Sequence, residues 1–411
     1  MKNTGYLHYL SYFLISGLLA VGLLNYLADP FSIFQSQRIS GFNEKKVDFV
    51  KYLRLTKARL ITLRKPDALI IGSSRTGYGL SPNHLGFSEH NTFNLGLADV
   101  SMTEAVQYLQ HAHNIKTLKK VVFALDFRLF YKNNQNSTIS KLRLANNGTT
   151  NTEYWQAWLN DYFSALFSYD SLKASLRMIR YQKWETNNLL ENGMWLRQRI
   201  GFDHYQAFRR YNINTIKRTD IPPINNLLSK RAAETLHQYR VFVRYCYQHQ
   251  IKLYLLFSPS HAWHWETLRD IGAWPAFQYF KQQLTLINEQ EAKQFNQRAF
   301  PFWDFSGYNH YSTEPAPLLP DSHYYSKWFW ETIHYHKQLG DLMLDRIFGL
   351  NANNANDYPF GVHLTNTNLA SHEAQQTQDH YDYQATHPDD IRIIQKLIKQ
   401  ANHEKKTISR F

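Results

Sequence analysis

The amino-acid sequence predicts an α/β fold built on a parallel sheet, tethered by an N-terminal transmembrane helix and interrupted by a helical insertion. Three observations carry this reading. Short apolar runs recur, each closing at a glycine or a small polar residue, with segments of helical spacing between them. The stretch from Tyr9 to Leu27 holds no charge. Residues 132–229 break the strand-helix alternation with a long segment rich in Tyr, Trp, Asn and Arg.

The elements follow in order. Tyr9–Leu27 is long enough for about 30 Å of helix, a bilayer core, with Tyr6, Tyr9, Tyr12 and Tyr26 near its ends where aromatic belts form. Leu27-Ala28-Asp29-Pro30 is a poor cleavage site, so residues 1–29 read first as an uncleaved signal anchor and second as a cleaved signal peptide. Residues 30–65 read as a polar connector and an amphipathic helix. Its dense basic run, Lys45 to Lys65, is taken as a solvated or membrane-facing surface. Ala68–Ile71 ends at Gly72 and reads as the first strand, and Phe93–Leu97 as the second, followed by helical spacing from Met102 to His113. Val121–Leu125, Lys252–Phe257 and Phe300–Phe305 supply three more. Strands alternating with helices imply parallel crossovers, and such sheets bind ligands beyond the carboxyl ends of their strands. The core domain therefore spans 66–349, with the insertion at 132–229, helical from Thr152 to Tyr181, forming a cap or partner surface. The Asn-rich stretch Asn351–Asn356 reads as a linker to polar C-terminal helices, together 350–411.

Bulk composition narrows the function. With 411 residues and 43% hydrophobic content the chain can bury a large core. A net charge of +13 favours anionic partners such as a membrane surface, but no zinc-finger spacing, RNA-binding signature or continuous basic helix is present, so no nucleic-acid partner is expected. A lone cysteine, Cys246, rules out an intrachain disulfide and reads as a buried structural thiol.

The chemistry concentrates in two remote segments. Ile70-Ile71-Gly72-Ser73-Ser74-Arg75 places serines at a strand-to-helix turn, where helix N–H groups can face a developing oxyanion. Glu331-Thr332-Ile333-His334 places a carboxylate three residues before an imidazole, adjacent on a helical turn. Together they supply nucleophile, base and orienting acid. Asp321 and His323 form an alternative acid/base pair. Asp126 can pair with Arg75 or cap the next helix, and His261 can reach the pocket or cap its own. No lysine stands at phosphate-loop spacing from Gly72, and no third ligand joins Glu331, His334 and His336, so neither cofactor nor metal is expected.

On these residues the chain resembles the SGNH (GDSL-type) hydrolase superfamily. The likeness is to its membrane-anchored branch, with the D-alanine transfer protein of teichoic acid synthesis and the alginate O-acetylation proteins. The superfamily's strand-ending Gly-x-Ser block maps onto Gly72-Ser73-Ser74 and selects Ser74 as nucleophile. Its late Asp-x-x-His maps onto Glu331 to His334, with Glu in place of Asp. Its second block maps onto Asn94-Leu95-Gly96, making Gly96, with the Ser74 N–H, the oxyanion donor and Asn94 a pocket residue. Its third block, usually supplying asparagine, falls on Leu125-Asp126-Phe127, which has none. The resemblance covers roughly residues 66–349. It implies a flavodoxin-like three-layer sandwich and a serine esterase or O-acyltransferase acting on acyl esters or cell-envelope glycans. It further implies a single-pass protein of the bacterial inner membrane with a periplasmic or extracellular body, and a membrane-bound O-acyltransferase as partner. A catalytically inactive binding or assembly subunit on the same scaffold is the alternative.

Overall fold

The computed structural model describes residues 3–131, 143–145, 152–185, 187–197, 201–218, 230–320, 324–350 and 360–408. Helices α1 (Asn3–Ala28) and α2 (Phe49–Arg64) precede strand β1 (Ala68–Gly72), the short helix α3 (Ser74–Gly79), β2 (Thr92–Gly96), α4 (Met102–Ile115), β3 (Lys120–Leu125) and α5 (Arg128–Tyr131). Next come α6 (Thr152–Phe167), α7 (Tyr169–Tyr181), the strands β4 (Asn187–Leu189) and β5 (Trp195–Arg197), and helices α8 (His204–Arg218) and α9 (Lys230–Gln248). The chain closes with β6 (Lys252–Phe257), α10 (Ala262–Asp270), α11 (Trp274–Gln294), β7 (Phe302–Asp304), α12 (Lys337–Phe348), β8 (Val362–His363), α13 (Leu369–Thr386) and α14 (Pro388–Ile408). These group into two compact units: 1–65 with 110–117 and 138–198, and 66–109 with 118–137 and 199–411. The connector helix and residues 138–198 of the helical insertion share the first unit, whereas the insertion's end and the C-terminal helices belong to the second.

The second unit is mixed α/β. Its six-stranded sheet has the order β2-β1-β3-β6-β7-β8, parallel except for β8, which runs antiparallel to β7. The five parallel strands coincide closely with the five apolar runs. The two-residue β8 and the small antiparallel β4–β5 ribbon of the other unit were not foreseen, because neither shows alternation over four residues or more. Every residue of β1 and β2 is buried, as expected of parallel strands covered on both faces. On one face Ala68, Ile70, Val122, Ala124 and Leu256 pack beneath Leu339, Met343, Leu344 and Ile347 of α12. Burial of those four helix side chains contributes about 6–12 kcal/mol of transfer free energy. On the other face Phe123 meets Phe242 of α9 at 4.6 Å between ring centroids, and Phe257 meets Phe277 of α11 at 5.7 Å. Cys246 is fully buried on α9, where burial pushes its thiol far above the usual range, as suits an inert packing group.

The C-terminal helices are stitched to this core by buried polar groups. Asp304, at the end of β7, accepts from Lys281 Nζ at 2.7 Å and from His372 Nε2 of α13 at 2.8 Å. Burial alone would raise the Asp304 carboxyl; Lys281 and His372 outweigh it and hold it well below the ordinary value. Glu266 of α10 receives Tyr308 Oη at 2.5 Å, His380 Nδ1 at 2.7 Å and Gln384 Nε2 at 3.0 Å. Ile394 and Leu397 of α14 close over Phe208 and Trp263.

In the first unit, α1 is long and apolar enough to cross a membrane from Gly5 to Ala28. Its residues 5–20 are all exposed, and burial against the rest of the unit begins near Gly22. The basic run after it is only in part the solvated or membrane-facing surface that charge suggested: Lys51 and Lys65 are exposed. Lys46, Lys57 and Arg59 are buried. Lys46 Nζ donates to the carbonyls of Ala28 (3.3 Å) and Asp29 (2.8 Å), and burial lowers it to about 8. Lys57 donates to the Gly193 carbonyl, and Arg59 pairs with Asp161, which also binds Arg143 at 2.8 Å. Buried cations of this kind persist only when paired, and no periodicity announces partners so distant in sequence.

Candidate active site

The site is built where β1, β2 and β3 end. β1 stops at Gly72, whose backbone lies so close to α3 that a Cβ there would stand 2.1 Å from Thr76 Oγ1 and 2.9 Å from the Ala124 carbonyl oxygen. Ser73 follows in extended backbone and caps α3, its Oγ accepting from Arg75 N at 3.2 Å and donating to the Asp126 carboxylate. Ser74 opens the helix. The two serines are thereby distinguished: Ser73 is tied to the turn, and Ser74 projects toward the segment that precedes α12.

That segment bends back on itself. Trp330 N donates to the His334 carbonyl and His336 N to that of Trp328, both at 2.8 Å, and Phe329 and Tyr335 form an antiparallel bridge. Glu331 and His334 occupy the tip. The i, i+3 spacing thus acts through a hairpin-like bend, not the helical turn expected from sequence. His334 Nε2 lies 2.8 Å from Ser74 Oγ, and its Nδ1 meets Glu331 Oε1. The second Glu331 oxygen accepts from Ile333 N at 3.0 Å. Glu331 is fully buried and His334 nearly so. Tyr78 of α3 and Tyr211 of α8 stand edge-on to the imidazole at 5.5 and 5.4 Å and fix its plane.

A half-buried carboxylate outside the two motifs anchors the bend. Glu314 accepts from Ser326 Oγ at 2.5 Å and from the backbone N–H groups of Lys327, Trp328 and Phe329 at 2.8, 3.1 and 2.9 Å. Burial raises its carboxyl to about 7 against the opposing pull of those donors. Nothing in the local sequence marks Glu314, because its partners lie a dozen residues downstream in a loop without periodicity.

Three residues expected from sequence, Asn94 and His261 in the pocket and Gly96 in the oxyanion hole, make the following contacts. Asn94 is fully buried; its Nδ2 donates to the carbonyls of Thr76 and Leu80 at 2.8 Å each, and its Oδ1 accepts from Gly96 N at 2.8 Å. Asn94 therefore clamps α3 onto β2, and the Gly96 N–H is engaged by its Oδ1. A Cβ on Gly96 would stand 2.4 Å from Gly77 N and 2.5 Å from Gly77 Cα. His261 is a cap. Its Nδ1 accepts from Trp263 N at 3.2 Å, its Nε2 donates to the Glu314 carbonyl at 2.8 Å, and burial lowers it to about 4. Its own N–H holds the Thr332 carbonyl at 3.0 Å, so it supports the bend from behind. Arg75 and Asp126 do approach one another, Nη1 to Oδ1 at 3.4 Å, beside the serine turn. Asp321 and His323, the alternative pair, lie outside the described residues. Among the described residues no group of three His, Cys, Asp or Glu side chains is placed to hold a metal.

Chemically, an ionised Glu331 keeps the imidazole proton on Nδ1. Nε2 then presents its lone pair to the Ser74 hydroxyl, 2.8 Å away and within proton-transfer reach. No protein-family model and no curated protein matches this chain.

Proposed function

We propose that this is a membrane-anchored serine esterase or O-acyltransferase of SGNH-like, flavodoxin-like architecture, acting on acyl esters of cell-envelope glycans or similar substrates. The observation that carries the reading is the continuous Ser74–His334–Glu331 array at the carboxyl edge of the sheet. The strand order supports the fold: counted along this sheet it runs 2-1-3-4-5, with a final antiparallel strand. In the proposed reaction His334 takes the Ser74 proton as Oγ attacks the acyl carbonyl. The imidazolium then returns that proton to the departing alcohol, leaving an acyl-enzyme. Water or a glycan hydroxyl, deprotonated by the same imidazole, attacks the acyl carbonyl and releases Ser74. The Ser74 N–H, at the start of α3, is the proposed oxyanion donor. An N-terminal anchor and a body on the outer face of a bacterial inner membrane complete the proposal, α1 supporting the anchor.

The test is covalent labelling of the full-length protein in detergent by a fluorophosphonate probe. Wild type labels and Ser74→Ala does not, while both melt alike; equal labelling of the two removes Ser74 from the mechanism. A second reading, a non-catalytic binding or assembly subunit, is favoured by one observation: the Gly96 N–H, the second expected oxyanion donor, is engaged by Asn94. Hydrolysis of p-nitrophenyl acetate separates the two, since a binding subunit gives equal rates for wild type and His334→Ala from pH 6 to 9.

A further inference from the structure

The corner between α6 and α7 carries a surface that the proposed chemistry does not use. The two helices form an antiparallel hairpin beside the end of α1. Leu166 and Ser175 bracket Asn25: Asn25 Nδ2 donates to the Leu166 carbonyl, and Ser175 Oγ donates to Asn25 Oδ1, each at 2.8 Å. Phe167 packs on Gly22, where a Cβ would stand 2.7 Å from its ring. Away from the corner, Tyr162 Oη reaches the Ile33 carbonyl at 3.2 Å, and Gln182 Oε1 accepts from Lys45 N at 2.9 Å. Both helices thus run from the connector toward the apolar span, and their corner sits level with Gly22–Asn25, inside the segment Gly5–Ala28.

The side chains match that depth. Phe163, Phe167 and Tyr169 are 63%, 38% and 75% exposed at the corner, and Leu176 is 53% exposed beside them. From 163 to 172 the one ionisable acid is Asp170, at the start of α7 where the helix dipole favours it. Farther up α7, and onward, Lys173, Arg177, Arg180 and Lys183 are exposed. Arg177 pairs with Asp48 at 2.5 Å, and Arg177 and Arg180 lie over Tyr181 at 5.2 and 5.7 Å. An apolar tip below a belt of cations is the pattern of an interfacial membrane element, whose apolar groups sink about 5–10 Å below the headgroups while Lys and Arg remain among them.

We infer that the α6–α7 corner is a second membrane contact, dipping Phe163, Phe167 and Tyr169 into the same bilayer leaflet that α1 enters, with Lys173 and Arg177 on anionic headgroups. The occupant is lipid because the corner shares its level with an apolar span whose preceding residues, 5–20, are all exposed. The inference is independent of the Ser74 chemistry.

Nitroxide labels on the full-length protein test it. Phe163→Cys, Tyr169→Cys, Leu14→Cys and Trp155→Cys are labelled separately, buried Cys246 being unreactive, and reconstituted in vesicles of phosphatidylcholine with phosphatidylglycerol. Labels at 14, 163 and 169 are expected to favour collision with oxygen over a water-soluble nickel chelate by several-fold relative to 155, which stands 12 residues, about 18 Å, up α6 from Phe167. A label at 14 in lipid with 163 and 169 matching 155 overturns the inference, as does a label at 14 in water. Spin–spin broadening at 169 that vanishes on dilution with unlabelled protein identifies a second copy as the occupant and overturns it equally.

Discussion

Replacing Glu331 by glutamine tests the proposed chemistry most sharply, because the geometry dictates which way the amide turns. The carboxylate makes two contacts, accepting from His334 Nδ1 with one oxygen and from Ile333 N at 3.0 Å with the other. An amide has one oxygen. If it faces the imidazole, its NH2 opposes the partly buried Ile333 N–H, an arrangement costing about 1–3 kcal/mol. If it faces Ile333, its NH2 donates to Nδ1 and both hydrogen bonds survive. The second orientation wins, and it moves the ring proton to Nε2, which then donates to Ser74 and ceases to be a base. In Ser-His-Asp hydrolases the equivalent exchange costs about 10⁴ in kcat, or ~5.4 kcal/mol of transition-state stabilisation. Glu331→Gln should therefore label with fluorophosphonate 10³–10⁴-fold more slowly, as roughly estimated from that precedent. Its unfolding free energy should stay within about 1 kcal/mol of wild type. Labelling within tenfold of wild type would refute the tautomer argument, and so would slow labelling accompanied by a collapsed melting transition.

Asn94→Leu leaves two carbonyls and one N–H without their buried partner; a loss of roughly 3–6 kcal/mol is expected in chemical denaturation, together with loss of Ser74 labelling. Gly96→Ala drives a methyl against backbone atoms of Gly77 that cannot rotate away, so a destabilisation of about 1–3 kcal/mol should appear in the same assay. Lys281→Met strips the buried Asp304 of its closest cation. A cost of about 3–5 kcal/mol and faster amide exchange in α13 are expected, and unchanged exchange would show that His372 alone suffices. Because the Asp304 carboxyl is depressed, its contribution to stability is present above the ordinary carboxylate range near pH 4 and is lost as pH falls below it. Acid titration of unfolding should show that loss in wild type and little of it in Asp304→Asn.

The sheet was legible because burial on both faces demands continuous apolar runs, and Ala68–Ile71, Val121–Leu125 and Lys252–Phe257 are such runs. Ser74, His334 and Glu331 were legible as residue types at telling positions. Their approach across 260 residues is a property of packing that no spacing encodes. The local geometry around Glu331 was misread, since i, i+3 neighbours meet on a tight bend as readily as on a helix. Asn94 and Gly96 were expected at the pocket and the oxyanion hole from the family resemblance, which carries no sign that Asn94 also fastens α3 to β2. The buried Lys57 and Arg59 show the complementary failure: charge reads as surface until a distant carbonyl or carboxylate neutralises it.

His334 and Glu331 share one small bend, closed by the Trp330–His334 hydrogen bond, whereas Ser74 rides on a separate helix pinned to β2. Base and acid therefore travel as a rigid couple, and sliding that couple by a single ångström would take the 2.8 Å serine contact beyond hydrogen-bonding range without loosening the imidazole from its carboxylate. An idle protein would keep an intact dyad. A proton resonance from that dyad would report integrity of the bend and be silent about readiness to react, which only the serine itself can disclose.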